Sequence, residues 1–216
     1  MKYLITTIAA VVLVGCGDPD GALIQAARDG DIEVVKQHLA AGTDVNTKDD
    51  DEYTPLHWAA MEGRREVAEL LISQGANVNA KNKVGSTPLH IAAYMKFDLA
   101  ELLIAKGATI NVTDDVSRTP LDDAIEGDKK ETVDLLRKHG GKTGEELSIH
   151  KAAAKGNIEA VKQHLAAGAD VNAKDDGVTP LDWAIRLKKT ATADLLRKHG
   201  AKTREELNRA QFNNPK

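Results

Sequence analysis

The sequence predicts an all-α fold: a solenoid of about six helix-turn-helix repeats joined by short β-hairpin fingers. Three observations lead there. First, one phrase recurs as Thr54-Pro55-Leu56-His57, Thr87-Pro88-Leu89-His90, Thr119-Pro120-Leu121-Asp122 and Thr179-Pro180-Leu181-Asp182, the first three copies lying 33 and 32 residues apart. A fixed period of that size marks stacked repeats. Second, two weaker copies, ALIQAARDG at 22–30 and SIHKAAAKG at 148–156, fill the register. Third, aromatic residues are 3% of the chain against 42% apolar overall, so alanine and leucine supply most of the apolar surface. That composition suits small helices packed closely. The 216 residues suffice for a sizeable core. A net charge of −4 with charges of both signs gives no general attraction to nucleic acid.

The first residues differ from the rest. Lys2 precedes an apolar run from Tyr3 to Gly15. A membrane-spanning helix needs about 20 such residues, so this shorter run fits the apolar region of a secretory signal. Leu13-Val14-Gly15-Cys16 resembles the lipobox of bacterial lipoproteins. The resemblance implies a signal peptide over 1–15, cleavage after Gly15, lipidation of Cys16 and a short tether over 16–20. At about 3.5 Å per residue that tether spans roughly 18 Å, which would hold the folded part close to a membrane facing the periplasm or exterior. Cys16 is the single cysteine, so an intrachain disulfide is impossible.

Each repeat carries its own punctuation. Thr54 suits a helix N-cap and Pro55 the first helical position. His57, or the aspartate at the same place in Asp122 and Asp182, can bond back toward the cap. Ala59 and Ala60 allow neighbouring helices to approach. Over Glu66–Ser73, Val67, Leu70 and Leu71 share one helical face, and Gly75 ends the helix. The stretch ANVNAKNKVGS then reads as the finger leading to the next repeat. These residues, from TPLHWAAMEG through EVAELLISQGANVNA, resemble ankyrin repeats, over about residues 21–212. Repeats 1–4 occupy 21–146; repeats 5–6 with a capping helix occupy 147–216. Thr203 and Glu206 have capping-box spacing, and Leu207 and Ala210 are placed to cover the last repeat.

The pattern has departures. The third repeat is one residue short between its helices, near Lys96. Glu52 replaces the usual finger glycine. From Gly140 to Leu147 there are seven steps where Gly75 to Thr87 takes twelve, so a finger is missing. Thr143 and Glu146 should start a helix over about 144–154 that runs straight into the fifth repeat. A longer duplication overlies the short one: residues 30–50 match 156–176 with four differences, and 135–147 match 195–207 with two.

No cofactor, metal site or catalytic group is predicted. GGKT at 140–143 superficially resembles a phosphate loop, but Leu136 stands where the motif needs glycine, and a helix rather than a strand precedes it. No nucleotide is expected. The seven histidines all fall at repeat positions. The acidic run KDDDE at 48–52 lacks the spaced oxygens of a calcium loop. The ankyrin resemblance implies instead a protein-binding surface on finger tips and the concave face of the first helices. Carried over by position, it comprises Tyr53, Trp58, Met61 and Glu62, then Lys83, Ser86, Ile91, Tyr94 and Met95, and more weakly Trp183 and Arg186. Trp58 and Ile91 could equally pack between repeats. The function expected is a non-catalytic module, lipid-anchored to the bacterial cell envelope, that binds an unidentified protein. The alternatives are an accessory subunit of an envelope enzyme and an immunity-type or structural lipoprotein.

Overall fold

The computed structural model describes residues 18–95 and 97–212. Lys96 and the segment carrying Cys16 lie outside the described residues, and so does the lipid-anchor reading. The described residues form fourteen helices in chain order: α1 Pro19–Asp29, α2 Ile32–Ala40, α3 Pro55–Glu62, α4 Arg65–Ser73, α5 Pro88–Met95, α6 Phe97–Ala105, α7 Pro120–Glu126, α8 Lys130–Lys138, α9 Gly144–Leu147, α10 Ile149–Lys155, α11 Ile158–Ala166, α12 Pro180–Arg186, α13 Thr190–Lys198 and α14 Arg204–Phe212. None of the helices searched is long and apolar enough to cross a membrane.

Two compact units are present. The first comprises Met1–Ile110 with Asp123–Leu135, the second Asn111–Asp122 with Leu136–Lys216. In the first, inner helices stack α1 on α3 on α5, and outer helices stack α2 on α4 on α6. Leu23, Leu56, Leu89 and Leu103 are fully buried, as are Ala27, Ala59, Ala60, Ala92 and Ala93. The alanines are what let inner helices approach so closely. In the second unit α10 packs on α12 and α11 on α13, around Ile149, Ala152, Val161, Leu181, Ala184 and Leu196.

The helix starts follow from the repeated phrase. Thr54 Oγ1 accepts the His57 amide while His57 Nδ1 accepts the Thr54 amide, which closes a capping box; Thr179 and Asp182 do the same. Between paired helices the chain turns through a left-handed residue. Gly63 serves there at φ 72, but Asp128 and Lys188 hold the same place at φ 51 and φ 56. Glu52 likewise takes φ 62 in the finger position that glycine usually fills.

The fingers are tighter than β-hairpins. Among the described residues no strand forms, and a single antiparallel bridge joins Asp175 to Val178. Each finger closes through one turn, as in Asn82 N–H to the Ser86 carbonyl at 3.0 Å and Asp49 N–H to the Tyr53 carbonyl at 3.0 Å. Asparagines then tie finger to finger. Asn79 Oδ1 accepts the Thr109 amide at 2.8 Å and its Nδ2 reaches the Gly107 carbonyl at 3.4 Å.

Two expectations need correction. The helix predicted over 144–154 is broken: Ser148 adopts φ −138 and ψ 119 and caps a new helix, so α9 and α10 are separate. The serine hydroxyl competes for backbone amides and favours a cap over a helix interior. At the C-terminus, Leu207 is half-buried but Ala210 is exposed, so the cap covers less than its pattern suggested.

The GGKT stretch has its amides fully used. Gly141 N–H donates to the Leu136 carbonyl at 2.8 Å, Lys142 N–H to Asn111 at 2.7 Å, Thr143 N–H to Glu146 at 2.7 Å and Gly144 N–H to Asp122 at 2.7 Å. Two of the acceptors are carboxylates, where a phosphate cradle would turn its amides outward. The stretch ends α8 and starts α9.

Candidate protein-binding surface

The surface predicted from sequence is built on α3, α5 and the fingers before them. Helical spacing places Trp58 and Met61 on one face of α3, and Ile91 and Tyr94 on the same face of α5. Met61, Ser86, Ile91, Tyr94 and Met95 converge with His90 and Asp123 on one groove of about 300 Å³. Its wall is mostly apolar. Tyr94 is 44% exposed and Met95 42% exposed, and Val84 stands exposed at the adjoining finger tip.

Sequence reasoning missed two lining residues. His90 is buried and was read only as a helix-start residue; its Nδ1 accepts the Thr87 amide at 3.1 Å. Asp123 is buried at the end of the groove. It occupies the repeat position of Trp58 and Ile91, so strict carry-over along the register would have found it. Its polarity hid it.

The remaining predicted residues lie beside the groove and are engaged within the chain. Trp58 is half-buried: Nε1 donates to Asp49 at 2.8 Å, and the Arg28 guanidinium sits 4.7 Å from the ring centre. Tyr53 packs on it at 5.5 Å and edge-on against His57 at 5.5 Å. Trp58 therefore bridges neighbouring inner helices. Glu62 pairs with Arg28 at 3.7 Å, and Lys83 with Asp51 of the preceding finger at 3.7 Å.

The acidic finger run is also spent internally. Asp49 Oδ1 accepts the Asp51 and Tyr53 amides, and Lys48 pairs with Glu52 at 2.6 Å. Among the described residues no group of three or more His, Cys, Asp and Glu side chains is arranged to hold a metal ion.

Trp183 and Arg186 belong to the second unit and do not join the apolar groove. The Arg186 guanidinium lies 5.4 Å from the Trp183 ring centre. Arg186 lines a separate cavity of about 410 Å³ with Val178, Asp182, Ile185, Thr203, Arg204 and Glu205. That lining is evenly divided between polar and apolar groups, where the first is mostly apolar.

Comparison with known proteins agrees with the repeat geometry. A family model described as ankyrin repeats (3 copies) matches residues 23–114 and 121–206. Protein VAPYRIN-LIKE from Medicago truncatula is 53% identical over 38 residues, which is 18% of this chain and 8% of that protein. Acyl-CoA-binding domain-containing protein 4 from Oryza sativa subsp. japonica is 49% identical over 39 residues, 18% of this chain and 12% of that protein. The match to either relative spans a small part of its length, little more than one repeat. With its helix pairs, capping boxes and repeat period all in register over most of its length, the chain belongs to the ankyrin-repeat family.

Proposed function

We propose that this chain is a non-catalytic binding protein, lipid-anchored at Cys16 to a bacterial cell envelope, that captures a partner protein in the groove of α3 and α5. An array of ankyrin repeats is a protein–protein interaction module. The observation that carries the rest is the groove itself, in which Met61, Ile91, Tyr94 and Met95 present apolar surface to solvent. An apolar cleft with few polar groups is the usual form of a binding site, and tyrosine is prominent among residues that dominate interfaces. The apolar run ending at Leu13-Val14-Gly15-Cys16 supports the anchor.

A photo-crosslinking residue placed at Tyr94 tests the surface. In cells it should yield a discrete adduct that is absent when the same residue replaces exposed Glu101 on α6. Adding Ile91→Asp should remove the adduct while helicity is unchanged. Identical adducts from both positions, or an adduct indifferent to Ile91→Asp, would sink the proposal. The anchor is checked separately by labelled palmitate, which wild type should incorporate and Cys16→Ser should not.

A further inference from the structure

The duplication gives the molecule one internal junction and two copies of its halves. The internal junction lies in the second unit, where the finger is missing. The Glu145 side chain is 17% exposed there and pairs with Lys155 Nζ at 2.9 Å. It also accepts Asn157 Nδ2 at 2.9 Å, and its carbonyl accepts His164 Nε2 at 2.9 Å. Beside it, Lys151 donates to the Ser117 carbonyl. Gly144 leaves the space for this: a Cβ there would lie 2.7 Å from Lys151 Nζ and closer still to the Ser117 oxygen. Only glycine permits that approach.

Each half recurs at an end of the array. Residues 195–207 repeat 135–147 on the last face, and residues 30–50 repeat 156–176 on the first. On the last face the Glu205 side chain is 75% exposed and pairs with Arg209 one turn on. Four of the contact positions differ between the copies. Arg204 stands for Gly144, Asp29 for Lys155, Asp31 for Asn157 and Gln25 for Lys151. Asp29 is held by Gln25 Nε2 at 2.9 Å and Asp31 caps α2 through the Val34 amide at 3.2 Å, so both carboxylates are fixed on the first face. Arg204 is committed to its own chain. Its amide donates to Asp182 at 2.9 Å, and its guanidinium lies about the Gly177 turn.

We infer that the two ends are complementary halves of a head-to-tail joint between copies of this chain, and that Arg204, Asp29 and Asp31 keep them from closing it. Joined as in the internal junction, Glu205 would meet two carboxylates where Glu145 meets an ammonium and an amide. Like charges so placed repel. The Arg204 side chain would fill the space that only glycine leaves free. Head-to-tail contacts that do not close into a ring extend into filaments. The three residues thus keep copies of this chain from joining through these two faces.

Restoring the internal sequence tests this. Sedimentation of the wild-type protein in density-matched detergent should give the mass of a single chain at all concentrations. The variant Arg204→Gly, Asp29→Lys, Asp31→Asn should give a mass that climbs past two chains with concentration, and further Glu205→Lys should return it to one. A second arm carries fewer changes per chain. Chains bearing Arg204→Gly alone, mixed with chains bearing Asp29→Lys and Asp31→Asn, should form a pair that neither forms alone. A mixture that stays single with native helicity overturns the inference, as does wild-type association that Glu205→Lys abolishes.

Discussion

Repeats 2 and 6 begin with the same phrase but end it differently, with His57 in one and Asp182 in the other. Both side chains close a capping box on their own threonine. The difference lies in what each meets beyond. His57 Nε2 donates to the Ser86 carbonyl at 3.2 Å, at the base of the next finger, and His150 Nε2 likewise meets the Ala173 carbonyl at 2.9 Å. Asp182 instead accepts the Arg204 amide at 2.9 Å, and Asp122 the Gly144 amide at 2.7 Å. Where a finger follows, the next segment offers a carbonyl and the repeat supplies a donor. Where the finger is missing, the next segment is a helix start offering an amide, and the repeat supplies an acceptor.

Exchanging the two residues is the strongest way to break this rule. His57 is fully buried. His57→Asp would set a carboxylate against the Ser86 carbonyl with no donor, and a buried charge without its partner costs about 3–5 kcal/mol. Asp182 is half-buried. Asp182→His would turn a ring N–H toward the Arg204 amide, donor against donor, at roughly 1–2 kcal/mol. Urea unfolding followed by circular dichroism measures both. Equal costs would show that burial of the phrase, not the finger that follows, decides the residue.

Acid separates the two boxes without mutation. Burial holds His57 down to a pKa of about 4, against a favourable bond to the Ser86 carbonyl. Charging it would place a proton on Nδ1, which now accepts the Thr54 amide at 3.1 Å. Its neutral form is therefore the stable one. The unfolded chain takes up that proton near pH 6.5 and the folded chain only near 4, so stability falls as pH drops through that window. The full loss is on the order of 3 kcal/mol. For Asp182, burial opposes ionisation, but the Thr179 and Arg204 amides outweigh it and hold the carboxyl below its usual range. Its contribution is retained above the unfolded value of 3.8 and lost only as pH falls through the lower folded value. Denaturant midpoints measured from pH 7 to 4 should fall for wild type and flatten for His57→Gln. A wild-type curve flat to pH 4 would contradict the assignment.

Much of this architecture was legible in the sequence. The Thr-Pro-Leu phrase placed α3, α5, α7 and α12, and the shortened run from Gly140 to Leu147 located the missing finger. The choice between His57 and Asp182 was visible as a pattern but silent in meaning, because its cause is a backbone group in another repeat. Ser148 looked like helix interior because apolar spacing continues past it; its hydroxyl decided otherwise. Met61, Ile91, Tyr94 and Met95, carried over along the repeat register, are among the residues that line the groove. Asp123 was passed over for being charged, and Trp58, which the register left equally able to pack between repeats, is engaged by Arg28 and Asp49. Partners so far apart in sequence leave no local signal.

One contact ignores the difference between the two kinds of junction, and it sets the smallest effect. Asn79 holds the Thr109 amide at 2.8 Å and the Gly107 carbonyl at 3.4 Å, ahead of a finger. Asn172 holds the Lys202 amide at 2.7 Å and the Gly200 carbonyl at 3.2 Å, where no finger follows. Both side chains are half-buried. Each amide ties the glycine that ends one outer helix to the residue two places on, before the chain commits to a finger or a helix start. Two neutral hydrogen bonds at such a site are worth about 1–2 kcal/mol together. Asn79→Ala and Asn172→Ala should therefore lower stability by that amount and by the same amount as each other. Asparagine to aspartate at either place keeps the acceptor and loses the donor to the glycine carbonyl, so it should cost less than alanine. A markedly larger loss at Asn172 would mean that the fingerless end leans on this amide in place of the finger it lacks.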